Sequence, residues 1–285
     1  MTAPSDPRDP NTTGHEWDGL REFDNPLPRW WLWIFYGCIA FAIGYWVLMP
    51  AWPGINGYTR GTLGQSDRAD VVRELAALKL QRAGMMNKLA GASLEQIEQD
   101  PDLQNFALNV GQSVFGDNCA TCHGQGGIGR PGYANLRDDI WLWGGSLQDI
   151  LKTITVGVRS DHPDTRMSAM PAFGRDGILT AAQVNDLTEY VVALSRRPAN
   201  AAAVRRAGQV FADNCASCHG AQGLGNQQVG APNLTDRDWL YGGEREAIRG
   251  QIQNGRGGVM PAWGARFDEP TLKALAVYIH ANSGR

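Results

Sequence analysis

Residues 30–52 read WWLWIFYGCIAFAIGYWVLMPAW, and no charged side chain occurs from Trp30 to Tyr58. A helix needs about 20 apolar residues to cross the hydrocarbon of a bilayer. Trp30, Trp31 and Trp33 mark one end of the run, Trp46 and Trp52 the other, as expected where indoles settle at both interfaces. The pattern predicts one membrane helix over 30–53. GINGYTRGTLGQ (54–65) is a turn-rich exit. Ser66 then caps a predicted helix to about Lys88, with Val71, Val72, Leu75, Leu78 and Leu80 near helical spacing. The stretch AGASLEQIEQDPDL reads as a polar linker with a short helix.

Beyond residue 104 the chain repeats. GQSVFGDNCATCHG (111–124) matches GQVFADNCASCHG (208–220), NLRDDIWLWGG (135–145) matches NLTDRDWLYGG (233–243), MPAFG (170–174) matches MPAWG (260–264), and LTEYVVAL (187–194) matches LAVYIHAN (275–282). Four landmarks in one order mark a tandem duplication of a fold of roughly 90 residues. Each copy opens and closes with a helical pattern. Between these lie glycine-rich, weakly periodic segments in which strands are hard to find. So little regular structure calls for a large ligand at the centre. The expected layout is a terminal segment (1–29), the membrane helix (30–53), a linker with a helix (54–104), a first domain (105–197) and a second (198–285), with SRRPANAAA (195–203) joining the copies.

Charge adds little. The 29 acidic residues against 26 basic ones give a net charge of -3, and no basic excess points to nucleic acid. The first 29 residues carry Asp6, Asp9, Glu16, Asp18, Glu22 and Asp24 against three arginines, which is no signal-peptide n-region. The apolar run is therefore read as an uncleaved anchor. Arg21 and Arg29 on one side balance Arg60 and Arg68 on the other, a tie under the positive-inside rule.

Five cysteines are present, four of them in the two repeated motifs. Cys38, inside the apolar run, reads as a small apolar residue. C-x-x-C-H is a c-type haem attachment pattern. Two thiols one helical turn apart can each form a thioether with a haem vinyl group, and the adjacent histidine presents a nitrogen to the iron. Cys119, Cys122 and His123 are thus expected to hold one haem, and Cys215, Cys218 and His219 the other. Zinc would need two further ligands per copy, and only His15, His162 and His280 remain besides the motif histidines.

The repeated Met-Pro supplies the sixth ligands. Met170 and Met260 lie 47 and 41 residues past the motif histidines, and methionine opposite histidine suits electron transfer and raises the potential. Each methionine is expected to serve the haem of its own copy, with lending across copies left open. The carbonyls of Ala134 and Pro232 are placed to accept from the histidine rings. Trp141 and Trp239 are expected near the haem edges, and Arg159 and Arg256 are candidates for propionate pairing. His162 lies in RSDHPDTR, a polar insertion peculiar to copy one, with Met167 nearby. It reads as a surface loop, and His280 in the final helix as structural.

Haem c is attached outside the cytoplasm, which breaks the charge tie. The N-terminus stays cytoplasmic, and in a bacterium with an outer membrane the haem domains are periplasmic. The stretch DGLREFDNPLPRWWLWIFYGCIAFAIGYWVLMPAWP (18–53), followed by two CxxCH domains, resembles the di-haem subunit III of cbb3-type cytochrome c oxidases. The resemblance covers nearly the whole chain, and NPLPRWW entering a single helix is its most specific part. It implies a mostly α fold, with one N-terminal transmembrane helix followed by two tandem class I cytochrome c domains. It also implies two haem c, with covalent attachment at Cys119, Cys122, Cys215 and Cys218 and axial ligation by His123, Met170, His219 and Met260. The implied role is to take electrons from a donor cytochrome c and pass them to a mono-haem subunit, which feeds the catalytic haem-copper subunit of the inner membrane. Oxygen reduction and proton pumping would lie in that partner, so no catalytic residue is expected here. Two rival readings are a free-standing membrane-anchored di-haem carrier and a di-haem peroxidase. The peroxidase would need an open iron position, whereas both copies offer a methionine.

Overall fold

The computed structural model describes residues 12–284. The chain divides into two units, residues 1–80 and 81–285.

In the first unit, β1 (Thr12–Trp17) and β2 (Leu20–Phe23) form an antiparallel hairpin that the sequence pattern did not suggest. α1 (Arg29–Leu48) follows directly from Pro28. Its 20 residues rise about 30 Å, the thickness of a hydrocarbon core. None of its side chains is buried, so this strongly apolar helix carries its hydrophobic surface on the outside all round. Its last carbonyls would be orphaned in an apolar medium. The chain folds back over them instead: Thr62 N–H donates to the Val47 carbonyl at 2.9 Å and Leu63 N–H to Leu48 at 3.1 Å. A two-rung hairpin of β3 (Pro53–Gly54) and β4 (Gly57–Tyr58) makes that reversal. The Trp46 and Trp52 rings meet edge to face, 4.7 Å between centroids. α2 (Asp67–Gly91) then begins, with Ser66 at its cap as the sequence suggests.

In the second unit the supposed polar linker is part of a core. α3 (Leu94–Gln99) starts in a capping box built by Ser93 and Gln96, and Asp100 caps α4 (Pro101–Asn118) with its carboxylate on two backbone N–H groups. Leu89, Leu94, Ile97 and Leu103 are buried. Leu94 and Ile97, three apart on α3, face in together, while Glu95 and Gln96 between them face out. α5 (Ala120–His123) is the single turn of the first motif. α6 (Leu147–Val156) is a ten-residue helix capped by Ser146. α7 (Ala181–Leu194), in a Thr180–Gln183 capping box, closes copy one. Copy two repeats the order with α8 (Ala201–Asn214), α9 (Ala216–His219), α10 (Arg245–Asn254) and α11 (Glu269–Asn282).

The copies that are contiguous in sequence do not each enclose their own core. α11 packs against α4 and α6, whereas α7 packs against α8 and α10. One core gathers Phe115 of α4, Ile150 and Ile154 of α6 and Leu272, Leu275 and Ile279 of α11. The other gathers Phe211 of α8, Ile248 and Ile252 of α10 and Val184, Leu187 and Val191 of α7. Equivalent aromatic pairs seal each, Phe115 on Tyr278 at 5.5 Å and Tyr190 on Phe211 at 4.8 Å. The closing helices are exchanged. The cause is the connection. Only residues 195–200 separate α7 from α8, and so short a link makes consecutive helices antiparallel neighbours. Arg196 turns the chain at φ +57°, and Arg197 N–H closes on the Val192 carbonyl at 3.3 Å.

Candidate functional site

Both motifs are built alike. α4 ends at Cys119, whose carbonyl accepts from Cys122 N–H at 3.1 Å and His123 N–H at 2.9 Å. α8 ends at Cys215, with the same two bonds from Cys218 at 3.2 Å and His219 at 2.9 Å. One helical turn therefore sets the two thiols of each pair on one side and the histidine beside them. Burial pushes the Cys119 and Cys215 thiols up to about 11, with the neighbouring Cys122 and Cys218 adding to it.

The histidine rings are oriented by backbone. His123 Nδ1 lies 2.9 Å from the Ala134 carbonyl and His219 Nδ1 lies 3.0 Å from that of Pro232, the two acceptors expected from sequence. A carbonyl only accepts, so Nδ1 carries the proton and the Nε2 lone pair is free for a metal. Burial lowers both histidine pKa values, and the carbonyl contacts only partly oppose this. Both rings are thus held neutral, the form that ligates.

Beside the second motif opens a cleft of about 1340 Å³ including its mouth. Cys215, Cys218 and His219 line it together with Phe211, Leu187, Val191, Ile248, Ile252 and Trp239. Met170 and Pro171 of copy one line it too, as do Arg159 and Arg256. A flat apolar macrocycle with thioether tethers fits these walls. Its carboxylates would suit an unmet arginine donor behind the Trp239 wall of the cleft. Nη2 of Arg197 is a buried donor without a partner among the described residues, and an unmet buried donor costs about 1–3 kcal/mol. Arg197 stacks on Trp239 at 5.5 Å. In copy one Arg166 stacks on Trp143, also at 5.5 Å, and its Nε is likewise unpartnered. Neither arginine was a sequence candidate: Arg197 sits in the linker and Arg166 in the insertion, outside the repeated frame. Arg256 instead stacks on Tyr241 at 5.7 Å.

The methionine loops cross. Met260 packs in the core that holds Cys119 and Trp141, and its loop docks on the end of α6. Met260 and Val158 exchange both backbone hydrogen bonds, Trp263 N–H donates to Ile154 at 3.0 Å and Gly264 N–H to Thr155 at 3.0 Å. Met170 packs in the core that holds Cys215 and Trp239, and its loop docks on the end of α10 through Arg175 N–H on Gln253 at 2.8 Å. Gly157 and Gly255, which end α6 and α10, sit at φ +69° and +60° with the Met260 and Met170 carbonyls 2.4 Å from where a Cβ would stand. Each crossing therefore requires a residue without a side chain. His162 accepts from Asp164 N–H in its loop at 3.0 Å. His280 Nδ1 pairs with Glu98 at 2.6 Å, tying α11 to α3.

Three family models tile most of the chain. Residues 9–56 match the N-terminal domain of cytochrome oxidase-cbb3, FixP; residues 108–195 match cytochrome c; and residues 202–279 match cytochrome c oxidase, cbb3-type, subunit III. A cbb3-type cytochrome c oxidase subunit FixP from Bradyrhizobium sp. (strain ORS 278) is 52% identical over 274 residues, 96% of this chain and 94% of the relative. The chain belongs to the FixP/CcoP family of cbb3 oxidase subunits. A CcoP from Cereibacter sphaeroides is 49% identical over 279 residues, 98% and 96% of the two chains. One from Azospirillum brasilense is 49% identical over 280 residues, 96% and 95% of the two chains. As a FixP/CcoP chain with two cytochrome c domains, it carries two covalently bound haem c. Its electron-transfer role follows from the same domains, and the rival readings are not favoured.

Proposed function

We propose that this chain carries electrons from a donor cytochrome c towards the mono-haem and catalytic haem-copper subunits of a cbb3-type terminal oxidase. Cys119 and Cys122 tether one haem and Cys215 and Cys218 the other. His123 with Met260 ligate the first iron, and His219 with Met170 the second. The observation that carries this reading is the crossed docking of the methionine loops on α6 and α10. Bound haem c supplies a one-electron couple, which methionine ligation sets at a raised potential. The protein's part would be to keep water from the ring, to hold His123 and His219 as neutral ligands, and to offer Met260 and Met170 as the second ligands.

α1 anchors the chain, with the N-terminus cytoplasmic and the haem domains on the periplasmic face of the inner membrane. This orientation rests on where haem c is attached. Gentle solubilisation tests the assignment: the chain should co-migrate with haem b and copper. Migration alone, free of both, would instead favour a free-standing carrier.

A further inference from the structure

We infer that Arg159 is a strap that holds both methionine loops at once, and so links the coordination of the two haems. Its Nε donates to the Gly258 carbonyl at 2.7 Å and its Nη1 to the Ser168 carbonyl at 2.6 Å. Gly258 lies two residues before Met260, and Ser168 two before Met170. One planar guanidinium therefore grips the same point of each loop, and its rigid fork is suited to two acceptors at once.

The backbone is arranged to place it there. Arg159 adopts φ +51°, a left-handed conformation that residues with a side chain rarely take. It is held in that turn from both sides. Val158 before it pairs with Met260, and its own N–H donates to Arg166 at 3.0 Å. The repeated frame offers no second strap. Gly157 and Gly255 end α6 and α10 alike, and two residues on copy one has Arg159 where copy two has Gly257. That glycine makes room, since a Cβ on it would stand 3.0 Å from Arg159 Nε. One arginine on a pseudo-symmetric crossing thus serves two loops. Arg159 also lines the second cleft, so a propionate partner is the competing role; that role concerns one haem only.

The strap rests on the ligation proposed above, and the haem-loaded full chain separates the two. The readout is the methionine–iron charge-transfer band of each oxidised haem and the pH at which it is lost, with Met170→Ala and Met260→Ala as references for assignment. A parent protein without both bands overturns the ligation reading. With both present, Arg159→Ala should raise the methionine-dissociated population at both irons, by about tenfold for one charge-assisted hydrogen bond per loop. Arg159→Lys keeps the charge but cannot fork, so it should leave at least one haem impaired. Should Arg159→Ala fail to fold, Gly257→Ala displaces the guanidinium by tenths of an ångström and should weaken both bands in the same direction. A change confined to the haem on Cys215 and Cys218, or full recovery by lysine, overturns the strap.

Discussion

Val158 and Met260, from different copies of the repeat, exchange both backbone hydrogen bonds, 3.0 Å in one direction and 2.9 Å in the other. A residue just beyond the end of α6 in copy one thereby fixes the methionine loop of copy two. The two haem sites are assembled from both copies, and damage to one copy's methionine loop or closing helix should be read out at the other copy's haem.

Deleting a ligand gives the first expectation. In a chain whose first motif is disabled by Cys119→Ala and Cys122→Ala, Met170→Ala should remove the remaining methionine–iron band and open that iron to carbon monoxide. Met260→Ala in the same background should leave the band in place. Absorption spectra of the two variants decide between crossed and uncrossed ligation.

Core truncations should cross in the same way. Leu275 of α11 is 1% exposed and so is Leu187 of α7. Truncating a buried leucine costs about 2–5 kcal/mol. Leu275→Ala should therefore loosen the haem on Cys119 and Cys122, and Leu187→Ala the haem on Cys215 and Cys218. Thermal melts followed at each haem's absorption would show which one responds.

At the crossings, an alanine should be poorly tolerated. Gly157 sits at φ +69°, ψ -173°, a region essentially reserved for glycine, so Gly157→Ala adds strain of about 1–3 kcal/mol and drives a methyl against the Met260 carbonyl. The methionine band of the haem on Cys119 and Cys122 should weaken. Gly255→Ala should do the same to the other haem, against the Met170 carbonyl. Equal weakening of both bands by either single change would contradict the local account.

Acid should loosen the core shared by α7, α8 and α10. Asp186 and Glu189 of α7 bond Arg206 of α8 and Arg245 of α10. The hydrogen bond from Arg206 lowers the Asp186 pKa, and those from Arg245 and then Asn200 N–H lower that of Glu189. A depressed carboxyl contributes stability that is complete above its unfolded value, about 4, and is lost as pH falls through the folded value. These pairs are exposed, so the effect is small. Asp186→Asn with Glu189→Gln should flatten the stability profile below about pH 4, checked by melting the parent and variant as the pH is lowered.

The motifs were legible because their chemistry is local. A thioether pair needs its two cysteines and histidine within one turn, and a histidine that follows such a turn meets the loop carbonyl at Ala134 or Pro232. α6 and α10 were missed since ten residues give fewer than three turns of pattern between glycines, and α10 buries only Ile248 and Ile252. Leu94 and Ile97 were hidden among Glu and Gln. The exchange of α7 and α11 was the least readable feature for a physical reason. Duplicated helices carry equivalent faces, so Tyr190 and Tyr278 suit either Phe211 or Phe115. The pattern leaves that choice degenerate, and the six-residue link between α7 and α8 makes it.

An experimental map of the haem-loaded protein would test the crossed assembly most directly. The account predicts the Met260 sulfur on the iron of the haem bonded to Cys119 and Cys122, and the Met170 sulfur on the iron of the other. Finding Met170 above the haem of its own copy would contradict it.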